Sequence, residues 1–260
     1  MVIATWNVNS IRARLAKLVA WLEAKAPDVV CLQETKVVDE EFPFEELRSL
    51  GYEVASFGQK TYNGVAIASR LGLEDVRRGL PGDESGEARL VSARVSGVRV
   101  ASVYVPNGQE VGSEKYAFKL AWMDKLFSYL AAHFSPSDPL VVCGDFNVAP
   151  EDRDVWDPEL WRGKILFSEP EKEAFFKLLR WGLVDCLRLH HPEGGLYTWW
   201  DYRQGAFHRG WGMRLDHILA TQPMAARCTS VVIDRDARKG EKPSDHAPVL
   251  ATFSDFLASA

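Results

Sequence analysis

Several apolar runs in this chain end in polar groups able to do chemistry together. Asn7 and Asn9 follow the run Val2–Trp6, Glu34 follows Asp28–Leu32, and Asp145 with Asn147 follows Leu140–Cys143. Tyr104 closes Val98–Tyr104, Asp216 lies in Met213–Ala220, and Asp245 with His246 precedes Ala247-Pro248-Val249. If these ends converge, they supply what hydrolysis of a phosphodiester requires. Hard oxygen ligands for Mg²⁺ come from Glu34 with Asn7 and Asp245, and Asp145 and Asn147 join that expected set. Asp145 orients or deprotonates a water, and Asn147 donates to the phosphoryl oxygens. His246 donates to the scissile phosphate if Asp216 raises its pKa and fixes its tautomer. The leaving oxygen is stabilised by the metal or by a proton from Tyr104.

Local patterns predict how these groups are held. Leu140–Cys143 is wholly apolar, as in a strand buried on both faces, and alternation past Gly144 puts Asp145 and Asn147 on one side and Phe146 on the other. Ser10 is a fitting N-cap for a helix with Ile11, Leu15, Leu18 and Leu22 at helical spacing, ended by Pro27. Strand-like runs recur at Tyr52–Phe57, Gly64–Ser69, Arg89–Val95 and Val98–Tyr104. A long helix then starts at Ser113, with a stripe of Tyr116, Leu120, Met123, Phe127 and Leu130. Ser168 and Glu171 form a capping box for a helix that Gly182 stops after Trp181. PDVVCLQE and DPLVVCGDFN share one device, an apolar strand around a cysteine and then an acid, which reads as a weak internal repeat. The expected fold is mixed α/β: two mainly antiparallel or mixed β-sheets face to face, helices outside, one domain over residues 1–260.

Composition narrows the class. With 47% apolar and 26% charged residues, the chain reads as a globular protein, and no apolar run approaches the roughly 20 residues of a membrane span. No signal peptide is read at the N-terminus, and the four scattered cysteines (Cys31, Cys143, Cys186, Cys228) read as buried reduced thiols, so a cytoplasmic setting is expected. A net charge of −5 disfavours nucleic acid as a partner, but clustered metal-binding carboxylates inflate the acidic count. Basic groups stand together at Arg12, Arg14 and Lys17, at Arg77–Arg78, at Lys115 and Lys119, at Arg203, Arg209 and Arg214, and at Lys239 and Lys242; each set reads first as a solvated face. His217 sits inside an apolar strand pattern and is expected to face structure, unlike His246.

WNVNSIRA, LQETK, YVPNG, GDFN, YTWWDYR, GMRLDHIL and SDHAPV occur in order from Val2 to Phe253. In this the chain resembles the exonuclease III / apurinic-apyrimidinic endonuclease family of the endonuclease–exonuclease–phosphatase superfamily. The resemblance implies a four-layered α/β sandwich, Mg²⁺ dependence, with Mn²⁺ able to substitute, and a monomer acting on double-stranded DNA at abasic sites and blocked 3′ ends. It implies Glu34 as principal metal ligand with Asn7 and Asp245 nearby, Asp145 as water-activating acid, and Asn147 as transition-state donor. Tyr104 is implied at the phosphate, and Asp216 with His246 as the Asp–His pair. Trp199, Met213 and Leu215 match the family's apolar pocket for a base-less sugar; Asn9, Lys36, Asn107 and Trp211 complete the expected substrate-binding set. Met213 is a departure, since many relatives carry tryptophan there, and Gln109-Glu110 stands where some place an arginine. A sister phosphoesterase acting on RNA, phosphoinositide or phospholipid is the alternative, and a catalytically retired binding module comes third.

Overall fold

The computed structural model describes residues 1–254. Its strands are β1 (Val2–Asn7), β2 (Val29–Gln33), β3 (Glu53–Phe57), β4 (Val65–Ser69), β5 (Glu74–Arg78), β6 (Leu90–Val95) and β7 (Val98–Tyr104). They continue with β8 (Leu140–Asp145), β9 (Leu183–Asp185), β10 (Trp199–Trp200), β11 (Gly212–Met213), β12 (Asp216–Thr221), β13 (Cys228–Ile233) and β14 (Val249–Phe253). The helices with most bearing on the site are α1 (Ile11–Lys25), α2 (Phe44–Arg48), α3 (Glu114–His133), α4 (Pro158–Trp161) and α5 (Glu169–Trp181).

Two six-stranded mixed sheets result, in the orders β13-β14-β1-β2-β4-β3 and β5-β6-β7-β8-β12-β9. One core lies between them, where Ile3, Cys31 and Ile67 of the first sheet join Val100, Val141, Cys143 and Ile218 of the second. The outer face of the first sheet packs Ala4, Trp6, Val30 and Leu32 against Leu18, Trp21 and Leu22 of α1. The outer face of the second packs Val103, Leu140 and Val142 against Trp122 and Leu126 of α3 and Phe175 and Leu178 of α5. This is the expected four-layered sandwich. The weak repeat also has a structural counterpart. β1 and β2 pair in parallel across α1, as β7 and β8 do across α3, and each parallel pair is flanked on both sides by antiparallel strands.

Local chemistry explains most boundaries. Ser10 accepts a hydrogen bond from the Ala13 amide, and Ala26 turns left-handed to end α1 just before Pro27. The capping box of Ser168 and Glu171 opens α5, and Gly182 closes it. On α3 the buried face is Tyr116, Lys119, Trp122, Met123, Leu126, Tyr129 and Leu130, so it is rotated from the expected stripe; Leu120 and Phe127 are only half-buried. Lys119 is thus no part of a solvated face. Neither is Arg214, which is 1% exposed and paired with Asp154 and Asp185. β5, with sequence EDVRR, carries the charges of an edge strand instead of alternating apolar residues.

Candidate functional site

The period-2 alternation that builds the inter-sheet core also builds the site. Inward positions run Ile3-Thr5-Asn7 on β1, Val29-Cys31-Gln33 on β2, and Val98-Val100-Ser102-Tyr104 on β7. They run Val141-Cys143-Asp145 on β8 and, in the opposite direction, Asp216-Ile218-Ala220 on β12. Each is apolar at one end and polar at the same other end, because β12 runs antiparallel to β8 with Asp216 opposite Asp145. Gln33 ties the sheets together there, donating to Thr5 Oγ1 at 3.0 Å and to Ser102 Oγ at 3.1 Å. Gly144 is needed for the close approach of β7, since a Cβ would stand 1.9 Å from the Val103 carbonyl oxygen.

At this end Glu34, Asp145 and His246 each place a ligand-type atom within 4.8 Å of the others. Asn7 bridges the two carboxylates, donating from Nδ2 to Glu34 Oε1 and to Asp145 Oδ2, both at 2.8 Å. Its oxygen accepts the Asn9 amide, so Asn7 faces the acids with its NH₂. His246 Nδ1 lies 2.7 Å from Asp216 Oδ2, which leaves Nε2 toward Asp145 at 3.5 Å. Trp6 Nε1 donates to the His246 carbonyl and Ser244 Oγ donates to the Asn7 carbonyl, which fixes the last loop against β1.

Burial and like charge set the protonation states. Burial raises Asp145 to about 7; His246 opposes this, while Asp216 and Glu34 add to it. Burial alone would lower His246, but Asp216 and Asp145 overcome it and push the imidazole up to about 10. Burial, then Glu34 and Asp145, raise Tyr104 well above the usual phenol range, so it keeps its proton. His217 is the contrasting case. Burial, then Arg214, hold it down to about 4, and Arg214 donates to its Nδ1 while Nε2 faces the Val148 carbonyl at 2.8 Å. The unfolded chain protonates this imidazole below about pH 6.5 and the folded chain only near pH 4. Stability from this group is therefore complete above 6.5 and lost as pH falls through that window, by about 3 kcal/mol in all. NMR titration should show the His217 ring neutral down to about pH 4, and titration near 6.5 would contradict its burial.

The other expected residues surround this cluster. Asn147, left-handed at φ 49°, donates from its backbone to Asp145 Oδ1 and from Nδ2 to the Val105 carbonyl. Asn107 Nδ2 reaches Asn147 Oδ1 at 3.4 Å. Lys36 donates to Asn9 Oδ1 and pairs with Glu34 at 3.2 Å. Asp245 stands outside the three-residue cluster, its oxygens taken by Asn9 Nδ2 and Trp199 Nε1. Trp199 pairs with Met213 across the β10–β11 ribbon and bridges to His246. Met213 and Leu215 pack behind it, 0% and 1% exposed, so of the three it is Trp199 that presents a partly exposed apolar face. Trp211 turns aside to stack on Trp156 at 4.8 Å, lining a neighbouring cavity of about 460 Å³.

One residue with a hold on the site was missed by sequence reasoning. Lys119 Nζ is fully buried and donates to the Asn107 carbonyl at 3.1 Å, to the Asn147 carbonyl at 2.7 Å, and to the buried carboxylate of Glu171. Burial lowers its pKa and Glu171 opposes the fall. The only sequence signal was its place between Tyr116 and Met123 on α3, which a snorkelling surface lysine shares.

The donor set suits a hard divalent cation. Two carboxylate oxygens face each other across a buried site, and the third member, a protonated imidazole, is no metal ligand.

Comparison with known proteins agrees with this geometry. The sequence profile of the Endonuclease/Exonuclease/phosphatase family matches residues 4–246. The chain is 37% identical to the exodeoxyribonuclease III of Haemophilus influenzae, over 96% of this chain and 98% of that protein. Among solved structures it resembles an AP endonuclease from Archaeoglobus fulgidus at 44% identity and a TM-score of 0.95, covering 98% of this chain and 100% of the other. A 3′ phosphatase from Neisseria bound to a product DNA hairpin matches at 44% identity and a TM-score of 0.93, with the same coverage.

Proposed function

The chain belongs to the endonuclease/exonuclease/phosphatase family, and from that premise we propose how its site works and on what. It is a DNA-repair nuclease of the exodeoxyribonuclease III type. The proposed reaction is hydrolysis of a DNA phosphodiester 5′ to an abasic site, and removal of nucleotides or blocking groups from 3′ ends. The observation that carries this reading is the Glu34–Asp145–His246 cluster with the apolar face of Trp199 bridged to it at His246. An apolar Trp199 face backed by Met213 and Leu215 favours a base-less sugar, because unstacking costs least where the base is already gone.

Glu34 and Asp145 would hold the divalent cation, with Asn7, Asn147 and Asp245 close by; Mg²⁺ is proposed, with Mn²⁺ able to replace it. When bound, the cation would polarise the phosphoryl group and offset its charge. The chain's own groups do the rest. Asp216 holds the Nδ1 proton of His246, which aims the Nε2 proton toward the cluster, where it meets a phosphoryl oxygen. Asp145 accepts the proton of the attacking water, its carboxylate held in place by the Asn147 amide on Oδ1 and by Asn7 Nδ2 on Oδ2. Asn147 and Asn107 orient the phosphate, and Tyr104, with its proton in place, donates to an oxygen carrying developing charge. Lys36 links Glu34 to Asn9, and Asn9 links on to Asp245.

We place the enzyme in the cytoplasm as a monomer acting as one unit; no helix among the described residues is long and apolar enough to cross a membrane. The test is a substrate comparison under Mg²⁺: a duplex with one abasic analogue, the intact duplex, a duplex with a 3′-phosphate, an RNA strand and a phosphoinositide. Cleavage of the abasic duplex well ahead of the last two is expected. Preference for RNA or phosphoinositide would replace this reading with a sister phosphoesterase.

A further inference from the structure

Beside the catalytic cluster, a cavity of about 360 Å³ opens between residues 201–208 and 238–243, lined among others by Tyr202, Phe207, His208, Arg238, Lys239 and Pro243. Arg238 is the unusual member. It is 6% exposed, yet no carboxylate among the described residues lies within ion-pair distance of it, and Asp245 favours its charge only from farther off. Of its five N–H donors, one reaches an acceptor, the Trp200 carbonyl at a long 3.5 Å, and its buried Nε has no partner. Its guanidinium is flanked by the rings of Phe207 at 4.9 Å and Tyr202 at 5.5 Å. A buried charge without a counter-ion is costly, and ring faces offset only part of that cost.

The surroundings are cationic and continuous with the catalytic end. Arg14, whose Nε is likewise buried without a partner, donates to Tyr202 Oη at 2.9 Å and to the Pro243 carbonyl at 3.2 Å. Lys17 donates to the Lys239 carbonyl at 2.9 Å. The one acid on the cavity wall, Asp201, is engaged by Arg203. Tyr202 Oη accepts from Asn9, which in turn donates to Asp245 of the candidate site. In a chain of net charge −5, this local excess of positive charge beside the cluster calls for an anion.

We infer that the Arg238 cavity binds a phosphodiester of the DNA strand next to the one cleaved, its guanidinium fork and the neighbouring Arg14 serving as donors. A planar guanidinium suits two phosphate oxygens at once, and entry of the phosphate supplies the direct counter-ion that Arg238 lacks. The inference rests on the DNA-nuclease reading and adds a second anchoring point to it.

The test uses Arg238→Met, Arg238→Lys and the wild-type enzyme, with a duplex carrying an uncleavable abasic analogue in EDTA. Binding is followed by anisotropy from about 50 to 200 mM KCl. Arg238→Met is expected to weaken binding about tenfold, equally for abasic and intact duplex, and to reduce the salt slope by about one; Arg238→Lys should keep the slope. Its melting temperature should match or exceed the wild-type value, since an unpaired buried charge has been removed, whereas a structural arginine would lower it. Should Arg238→Met not fold, Arg14→Gln on the helix face must show the same loss of slope. An unchanged slope in a folded variant overturns the inference. So does inorganic phosphate that stabilises the wild type but not Arg238→Met while the DNA slope stays the same, because the occupant would then be free phosphate. A wild type that neither binds nor cuts duplex DNA would refute the nuclease reading itself, a different failure from these.

Discussion

Replacing Asp145 by asparagine is expected to lower single-turnover incision by about 10²–10⁴-fold while leaving DNA affinity equal or tighter. The carboxylate is 1% exposed, accepts from Asn7 and from the Asn147 amide, and faces His246 at 3.5 Å. Asparagine keeps its volume and can keep the bond from the Asn147 amide, but it cannot take a proton from water. Affinity should not suffer, because the lost charge is one that repels a phosphate across a site of low dielectric. Single-turnover kinetics alongside equilibrium anisotropy separate the two effects. Incision near the wild-type rate would remove Asp145 from the mechanism.

The second large effect is expected far from any substrate atom. Lys119→Met leaves the Glu171 carboxylate fully buried without its cation and should cost about 3–5 kcal/mol of stability. For a chain of this size each kcal/mol moves the midpoint by about 2–4 °C, so the melting temperature should fall by about 10 °C. The lysine also holds the carbonyls of Asn107 and Asn147, so the loops bearing both amides lose their common support. The double variant Lys119→Met with Glu171→Gln distinguishes the two roles. Neutralising the acid should restore much of the stability, since an amide can still cap Ser168, yet kcat should stay low because the carbonyls remain unsupported. Full recovery of kcat together with stability would make Lys119 structural only.

The contrast between these two residues shows what the sequence can convey. Asp145 was legible because a two-residue alternation carries an inward position straight out of a buried strand, and five strand ends repeat the device. Once β1, β2, β7 and β8 point the same way, their polar ends meet. His217 and His246 were separable on the same ground, since one falls inside an apolar pattern and the other after it. Lys119 and Arg214 were not legible, because a lone base in a helix or strand looks the same whether it meets water or a distant acid. Their partners Glu171, Asp154 and Asp185 lie between 29 and 60 residues away, and nothing local links them. β5 was hidden by its charges, and the ribbon of β10 and β11 by its length of two residues per strand. Asp245 was expected among the ligands, and its engagement by Asn9 and Trp199 is a tertiary fact that spacing does not encode.

The central claim is that the Glu34–Asp145–His246 cluster is a metal-dependent catalytic centre for DNA. The most direct test is incision of a duplex carrying one abasic analogue by the wild type and by Glu34→Gln, across a magnesium titration and in EDTA. Wild-type cleavage should rise to a plateau with Mg²⁺ and stop in EDTA. Glu34→Gln should need on the order of tenfold more magnesium or more, because the site has lost one of its charged ligands. Cleavage that persists in EDTA, or an unchanged magnesium requirement in Glu34→Gln, would contradict the assignment.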